Sequence, residues 1–338
     1  MSLRELSYAQ AIREAHAQLL AKDERVVLLG QGLWSPWYAG SSLMDLEKEF
    51  GKDRVMDTPV SENATTGMAV GAAITGLRPI VFHPRMDFML LAVDPIVNQA
   101  ANWSYLFSGK ISAPVVFRAT INRGGEQGAQ HSQALQAMFA HIPGLKVVMP
   151  ACPADAKGLM IAAVEDPNPV LYIDDRWLYD IKEPVGESPV ATPIGKARIV
   201  CSGEDLTIIS SSHSAWLCEQ AAEKLKKLGV SVEVIDLRSV RPIDENAIVA
   251  SLRKTGRLLV VDGAWKACGI SAEIAAIASE SAFESLKAPV RRLTLPDAPA
   301  PTSRVLEKAY YFGVDDIVKA ALGFHIPRST TTPIQAQP

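Results

Sequence analysis

Two rhythms of hydrophobic and polar positions alternate along this chain. Short runs that are apolar at every position are separated by longer stretches whose apolar residues follow helical spacing. Ser7 is a capping residue, and Tyr8, Ile12, Ala15 and Leu19 after it predict a first helix. The run RVVLLG (Arg25–Gly30) then reads as a strand buried on both faces, since one-sided strands alternate and this one does not. Further strands are predicted at Pro79–His83, Pro114–Ala119, Leu145–Met149 and Val170–Ile173, with helical stretches between them. Helices interleaved with fully apolar strands predict βαβ units and a parallel sheet covered on both faces.

The rhythm lapses over Asp180–Ala197, DIKEPVGESPVATPIGKA, where Pro, Gly and charge accumulate. This is the connection predicted between two domains, a first unit over 1–185, a linker over 186–197 and a second unit over 198–324. In the second unit strands are predicted at Asp205–Ser211, Val230–Asp236, Arg257–Asp262 and Val290–Leu295. Helices fall at Ala215–Leu228, Glu245–Lys254 and Ser271–Phe283. The last stretch, HIPRSTTTPIQAQP (325–338), is polar and reads as a disordered tail.

Composition adds mainly exclusions. The 338 residues exceed the roughly 250–300 at which single cores stop growing, which agrees with two domains. With 48% hydrophobic and 21% charged residues and a net charge of −3, the chain lacks the basic footprint of a nucleic-acid binder. No apolar run reaches the roughly 18 residues of a membrane helix, and MSLRELSYAQ lacks the apolar core of a secretory signal. Cys152, Cys201, Cys218 and Cys268 are widely spaced with no CxxC pair, so reduced thiols and a cytoplasmic protein are expected.

Common catalytic motifs are missing: there is no GxGxxG after a strand, no GxxxxGK[ST], no HExxH and no GxSxG. The glycine-rich GGEQG (124–128) lacks a strand–loop–helix setting and reads as a mobile loop. Ser210–Ser212 precede His213 but end an apolar run, where serines are usually turn formers. The stretch DTPVSE (57–62) followed by the small-residue helix TTGMAVGAAITG is more informative. On spacing alone, Glu62 could cap that helix or complement its dipole, and the small residues could permit close packing.

The ordered blocks narrow these readings. DTPVSE is followed by AVGAA and TGLRPI (69–80), AVDPIVNQAA (92–101), AQHSQ (129–133), PGLKVVMP (143–150), DAKGL (155–159) and DPNPV (166–170). EVIDLRSVRPID (233–244), KTGRLLVVDGAWKACGISAEIAA (254–276) and APVRRLTLPDAPAP (288–301) continue the series. This string resembles the beta subunit of the thiamine-diphosphate-dependent, decarboxylating first component of 2-oxo acid dehydrogenase complexes, of pyruvate, branched-chain or acetoin type. The resemblance covers about residues 5–324. It implies an α/β fold of two layered domains, a transketolase-like pyrimidine-binding domain followed by a transketolase C-terminal domain.

The resemblance also implies an oxidoreductase half-site. Thiamine diphosphate supplies the reactive carbanion, and the protein generates and shelters it. Glu62 matches the carboxylic acid that hydrogen-bonds the cofactor's ring nitrogen. An aspartate there would be one methylene too short. Phe88 matches the aromatic residue against the aminopyrimidine, with Val60 on the same approach. Core packing is the competing reading of Phe88. His131, in AQHSQ, matches an active-site histidine able to donate a proton near neutral pH. Ala163, Val164, Asp166 and Asn168 match a potassium site of oxygen ligands, where an ordinary DPN turn is the alternative.

No GDG motif is present to hold the diphosphate and its magnesium ion. The resemblance therefore implies an alpha subunit as partner, in an α2β2 heterotetramer with cofactor sites at the interfaces. A lipoyl acyltransferase core is the further expected contact. Three places depart from the family pattern. Gln31 and Gly32 stand where many relatives are acidic, NATT (63–66) is more polar than usual, and FHPRMDF (82–88) carries His83 and Arg85. Arginine can grip a carboxylate, so His83 and Arg85 are candidate contacts to a more polar substrate, against an Arg that pairs with an acid or faces solvent. A transketolase-like or acyloin-type carboligase half is the alternative activity. A non-catalytic scaffold is a third, against which the presence of both Glu62 and His131 argues.

Overall fold

The computed structural model describes residues 3–324. The predicted tail lies outside them. Ser7 caps the helix Tyr8–Lys22 in a reciprocal box with Gln10, as its sequence predicts. The strands Val26–Gly30, Val116–Ile121 and Val170–Asp175 are buried at every position; the first reads as a continuous apolar run, while the other two carry the buried polar residues Arg118, Thr120, Asp174 and Asp175.

The first sheet has seven strands. From one edge they are Ser239–Arg241, Lys146–Val148, Val170–Asp175, Val116–Ile121, Arg78–His83, Val26–Gly30 and Val55–Asp57. All pairs are parallel except the first, which is antiparallel. The second sheet runs Arg291–Leu295, Leu258–Trp265, Leu206–Ser210, Val232–Asp236 and Arg198–Cys201, parallel apart from its last strand. Among the described residues no helix is long and apolar enough to cross a membrane.

The two halves are more closely joined than the sequence suggests. The stretch after Asp180 holds a strand, Lys182–Gly186, paired antiparallel with Leu3–Ser7. Its residues are mostly exposed or half-buried, so no apolar run announces it. Ser239–Arg241, from the second half of the chain, forms an edge of the first sheet. One apolar core runs from Val81, Phe117 and Leu171 of the first half to Ile209, Ile235 and Leu258 of the second. Arg123 adds a polar tie, paired with Asp175 at 2.7 Å and donating to the Gly263 carbonyl at 3.2 Å.

In a parallel sheet, ligands bind outside the carboxyl ends of the strands. The neighbouring strands Val116–Ile121, Arg78–His83, Val26–Gly30 and Val55–Asp57 lead at those ends into the segments carrying His131, Arg85 and Phe88, Gln31, and Glu62 respectively.

Candidate active site

Glu62 is the first residue of the helix Glu62–Ile74 and is buried. Its carboxylate does not cap that helix. Oε1 accepts instead from Gln31 Nε2 at 3.0 Å, and Oε2 has no partner among the described residues. The arm carrying Gln31 is fastened on both sides. Thr58 N donates to Gly30 O at 2.9 Å, and Gly32 N donates to Asp57 Oδ1 at 2.7 Å. Gly30 has φ +154°, and a Cβ there would lie 2.5 Å from the Phe82 carbonyl oxygen, so only glycine permits the strand to end against its neighbour.

The surface around this buried acid is open. Val60 is 77% exposed and Met68 69% exposed. Asn63, Ala64, Gly67 and Gly71 are exposed on the same helix, and a Cβ added at Gly67 or Gly71 meets nothing within 4 Å. A helix-interior glycine costs about 1 kcal/mol relative to alanine, so packing within this chain does not account for the two glycines. The close-packing reading of the small residues therefore fails within the chain on this face.

His83 ends its strand almost fully buried, with Nε2 3.3 Å from Thr66 Oγ1, one turn beyond Glu62. Burial lowers its pKa to about 4, so the imidazole is neutral near pH 7. It faces the Glu62 helix from behind. Arg85 donates through Nη2 to Gln127 Oε1 at 3.3 Å, while its buried Nε has no partner. It thus joins the glycine-rich loop rather than an acid.

Phe88 and His131 are brought together, with ring centroids 5.2 Å apart and planes at 83°. Phe88 is half-buried, so it is not a plain core residue. Asp87 maintains this pairing, because its Oδ1 accepts from Gln133 N at 3.2 Å and Gln133 Nε2 at 2.9 Å. Sequence reasoning missed Asp87 and Gln133. A polar residue between the apolar Met86 and Phe88 is their only signal. The loop before His131 is fastened at its centre, where Glu126 N donates to both Glu307 carboxylate oxygens and Arg304 Nε meets Glu126 Oε1 at 3.0 Å.

The serines near His213 form no nucleophilic pair with it. Ser210 Oγ donates to Val261 O at 2.7 Å, and His213 packs between Trp177 and Trp216. Ala163 and Val164 end the helix Pro153–Glu165, and Asp166 and Asn168 follow it just before the strand Val170–Asp175, at the opposite end of the sheet from Glu62. Arg78 Nη1 donates to the carbonyls of Val164 at 2.5 Å and Asp166 at 3.3 Å, and Lys146 pairs with the Asp166 carboxylate. Asp166 Oδ1 also accepts from Asn168 N at 2.9 Å. The Val164 and Asp166 carbonyls and the Asp166 carboxylate thus already meet side-chain cations. Among the described residues no cluster of His, Cys, Asp or Glu suits a metal.

Comparison with known proteins identifies the family. The transketolase pyrimidine-binding domain matches residues 4–180, and the transketolase C-terminal domain matches residues 195–317. The chain is 40% identical over 336 residues to the beta subunit of acetoin:2,6-dichlorophenolindophenol oxidoreductase of Bacillus subtilis, covering 94% of this chain and 97% of the relative. It is 41% identical over 322 residues to the mitochondrial pyruvate dehydrogenase E1 component subunit beta-2 of Oryza sativa, covering 94% and 86%. A split-gene transketolase, described as an inactive beta4 tetramer, shares the fold with a TM-score of 0.75 at 21% identity, over 94% of this chain and 97% of that one. On the two domain matches and these near full-length relatives, the chain belongs to the transketolase-like family of E1 beta subunits that includes those of pyruvate and acetoin dehydrogenases.

Proposed function

We propose that this chain is the beta half of a thiamine-diphosphate-dependent 2-oxo acid dehydrogenase, active with an alpha subunit. The observation that carries this reading is a buried carboxyl group with one free oxygen, set at the edge of an open face whose glycines meet nothing in their own chain. Such a face suits the close approach of another chain, and Glu62 would then lie in a dry interface. The relatives are themselves beta subunits, which supports the same assembly.

The residues present fit the pyrimidine end of the cofactor. When bound, thiamine diphosphate supplies the carbanion that attacks a 2-oxo acid. Glu62 holds a proton toward the ring nitrogen through its unpartnered oxygen. Phe88 offers an aromatic face, and Val60 excludes water at the rim. His131, held edge-on by Phe88, stands as a proton donor for substrate or acyl handling. Arg85, half-buried and tied to Gln127 of the glycine-rich loop, is in this reading the contact to a polar or anionic substrate; His83 supports the Glu62 helix.

In this reading the diphosphate end and its magnesium ion are held by the alpha chain. The assembly in this reading is α2β2, with acyl transfer to a lipoyl group on an acyltransferase core. The unpaired cysteines suit a cytoplasmic setting. The test is a screen of 2-oxo acids with the alpha–beta complex, in the presence and absence of lipoamide. Lipoamide-dependent turnover that Glu62→Gln abolishes supports the reading. Carboligation without lipoamide moves the activity to the carboligase class.

A further inference from the structure

Gln31 touches the group on which the proposed chemistry depends, yet no motif assigns it a role. Its Nε2 lies 3.0 Å from Glu62 Oε1. Its backbone is fixed by the Thr58–Gly30 and Asp57–Gly32 hydrogen bonds and by the glycine required at position 30. A side chain presented from so constrained an arm is preorganised toward a single partner. An amide nitrogen only donates, so the Glu62 oxygen it meets serves as acceptor. The hydroxyl oxygen of a carboxylic acid is the poorer acceptor of the two. When Glu62 carries a proton, that proton is therefore directed to Oε2, the oxygen left without a partner.

We propose that Gln31 is a positioning residue that orients the Glu62 carboxyl and keeps its acidic proton on the outward oxygen. The inference rests on the reading of Glu62 as the acid facing the cofactor ring. An acidic residue at position 31 could not give this orientation in its ionised form, because it has no donor. The amide makes the orientation independent of pH.

The experiment uses the alpha–beta complex of wild type, Gln31→Leu and Gln31→Glu. Thiamine diphosphate affinity is measured by calorimetry. Hydrogen–deuterium exchange at the thiazolium carbon of the bound cofactor is followed from about pH 5.5 to 8.5. Gln31→Leu keeps the shape without the donor, and its affinity is expected to stay within about threefold while exchange slows about tenfold, the effect of one hydrogen bond. Gln31→Glu sets a second acid beside Glu62, and its exchange profile is expected to move to higher pH. Should the leucine variant fail to fold by thermal melt, the glutamate variant carries the test through its profile.

Wild-type rate and profile in both variants would overturn the proposal. Loss of cofactor binding in a folded Gln31→Leu complex would also overturn it, by making Gln31 a binding residue. Failure of the wild-type complex to bind the cofactor overturns the functional reading itself, and this inference with it.

Discussion

The Phe88 ring stands edge-on to the His131 imidazole, with centroids 5.2 Å apart, so two residues 43 positions apart in sequence form one aromatic corner. The corner is built by Asp87, which binds Gln133 through backbone and side chain. An edge-to-face pair contributes about 0.5–1.5 kcal/mol beyond burial. Phe88→Ala also removes the aromatic face offered to the cofactor ring, and a lost aromatic contact of that same size is expected to weaken thiamine diphosphate binding by the complex roughly 2- to 12-fold, read by calorimetry. His131→Ala should leave that affinity within a few-fold and lower turnover by about 10²–10⁴, the usual range for a lost general acid.

Asp87→Ala tests the same corner from outside it. The substitution frees Gln133 and the segment that carries His131. Turnover should fall while His131 is intact, and Asp87→Asn should restore part of it, since its side-chain oxygen still accepts from Gln133. An Asp87→Ala enzyme with unchanged turnover would show that the corner positions nothing.

Gly67 and Gly71 face open space, so larger residues there should be harmless to the isolated chain. Gly67→Leu is expected to keep or raise the melting temperature, since leucine is the better helix former. The same substitution should abolish co-purification with the alpha subunit in size-exclusion chromatography. Unimpaired assembly would place the partner on another face.

The Arg118–Asp174 pair, at 2.8 Å, is fully buried on both sides, and Asp174 also accepts from Tyr179. Removing one partner leaves an uncompensated buried charge. Asp174→Ala is expected to cost about 3–5 kcal/mol in denaturant melts.

Stability should fall on the acid side. Burial lowers His16 to about 3 and both His83 and His213 to about 4, against 6.5 in the unfolded chain. Between these values the unfolded state binds more protons, so stability is lost as pH falls below 6.5. Asp236 acts in the opposite sense. Burial raises it from 3.8 to about 7, so its contribution fades as pH rises through that range. Burial also raises Asp262 and Glu183, by smaller shifts than that of Asp236, so the three histidines carry the larger combined effect between pH 4.5 and 6.5. Urea midpoints are expected to rise from pH 4.5 to 6.5, and His83→Gln should flatten that rise.

Much of the fold is legible in the sequence because strands buried on both faces cannot hide their composition. Val26–Gly30 and Leu206–Ser210 are examples. Lys182–Gly186 and Ser239–Arg241 were not legible, since both are short, partly exposed edge strands paired with distant segments. At the site, the resemblance singled out Glu62, Phe88 and His131, and the structure sets the last two against each other. It does not foretell that Gln31, visible only as a departure, binds Glu62, because that contact depends on two strand ends lying side by side. Nor does it foretell that Arg78 and Lys146 engage the oxygens of the Asp166 turn.

The central claim is that this chain holds only the pyrimidine half of a cofactor site completed by an alpha subunit. Calorimetric titration of thiamine diphosphate with magnesium into this chain alone and into the alpha–beta complex tests it most directly. The account predicts micromolar binding by the complex and none by the chain alone. Tight binding by the chain alone would contradict it, because the diphosphate site would then lie within these residues.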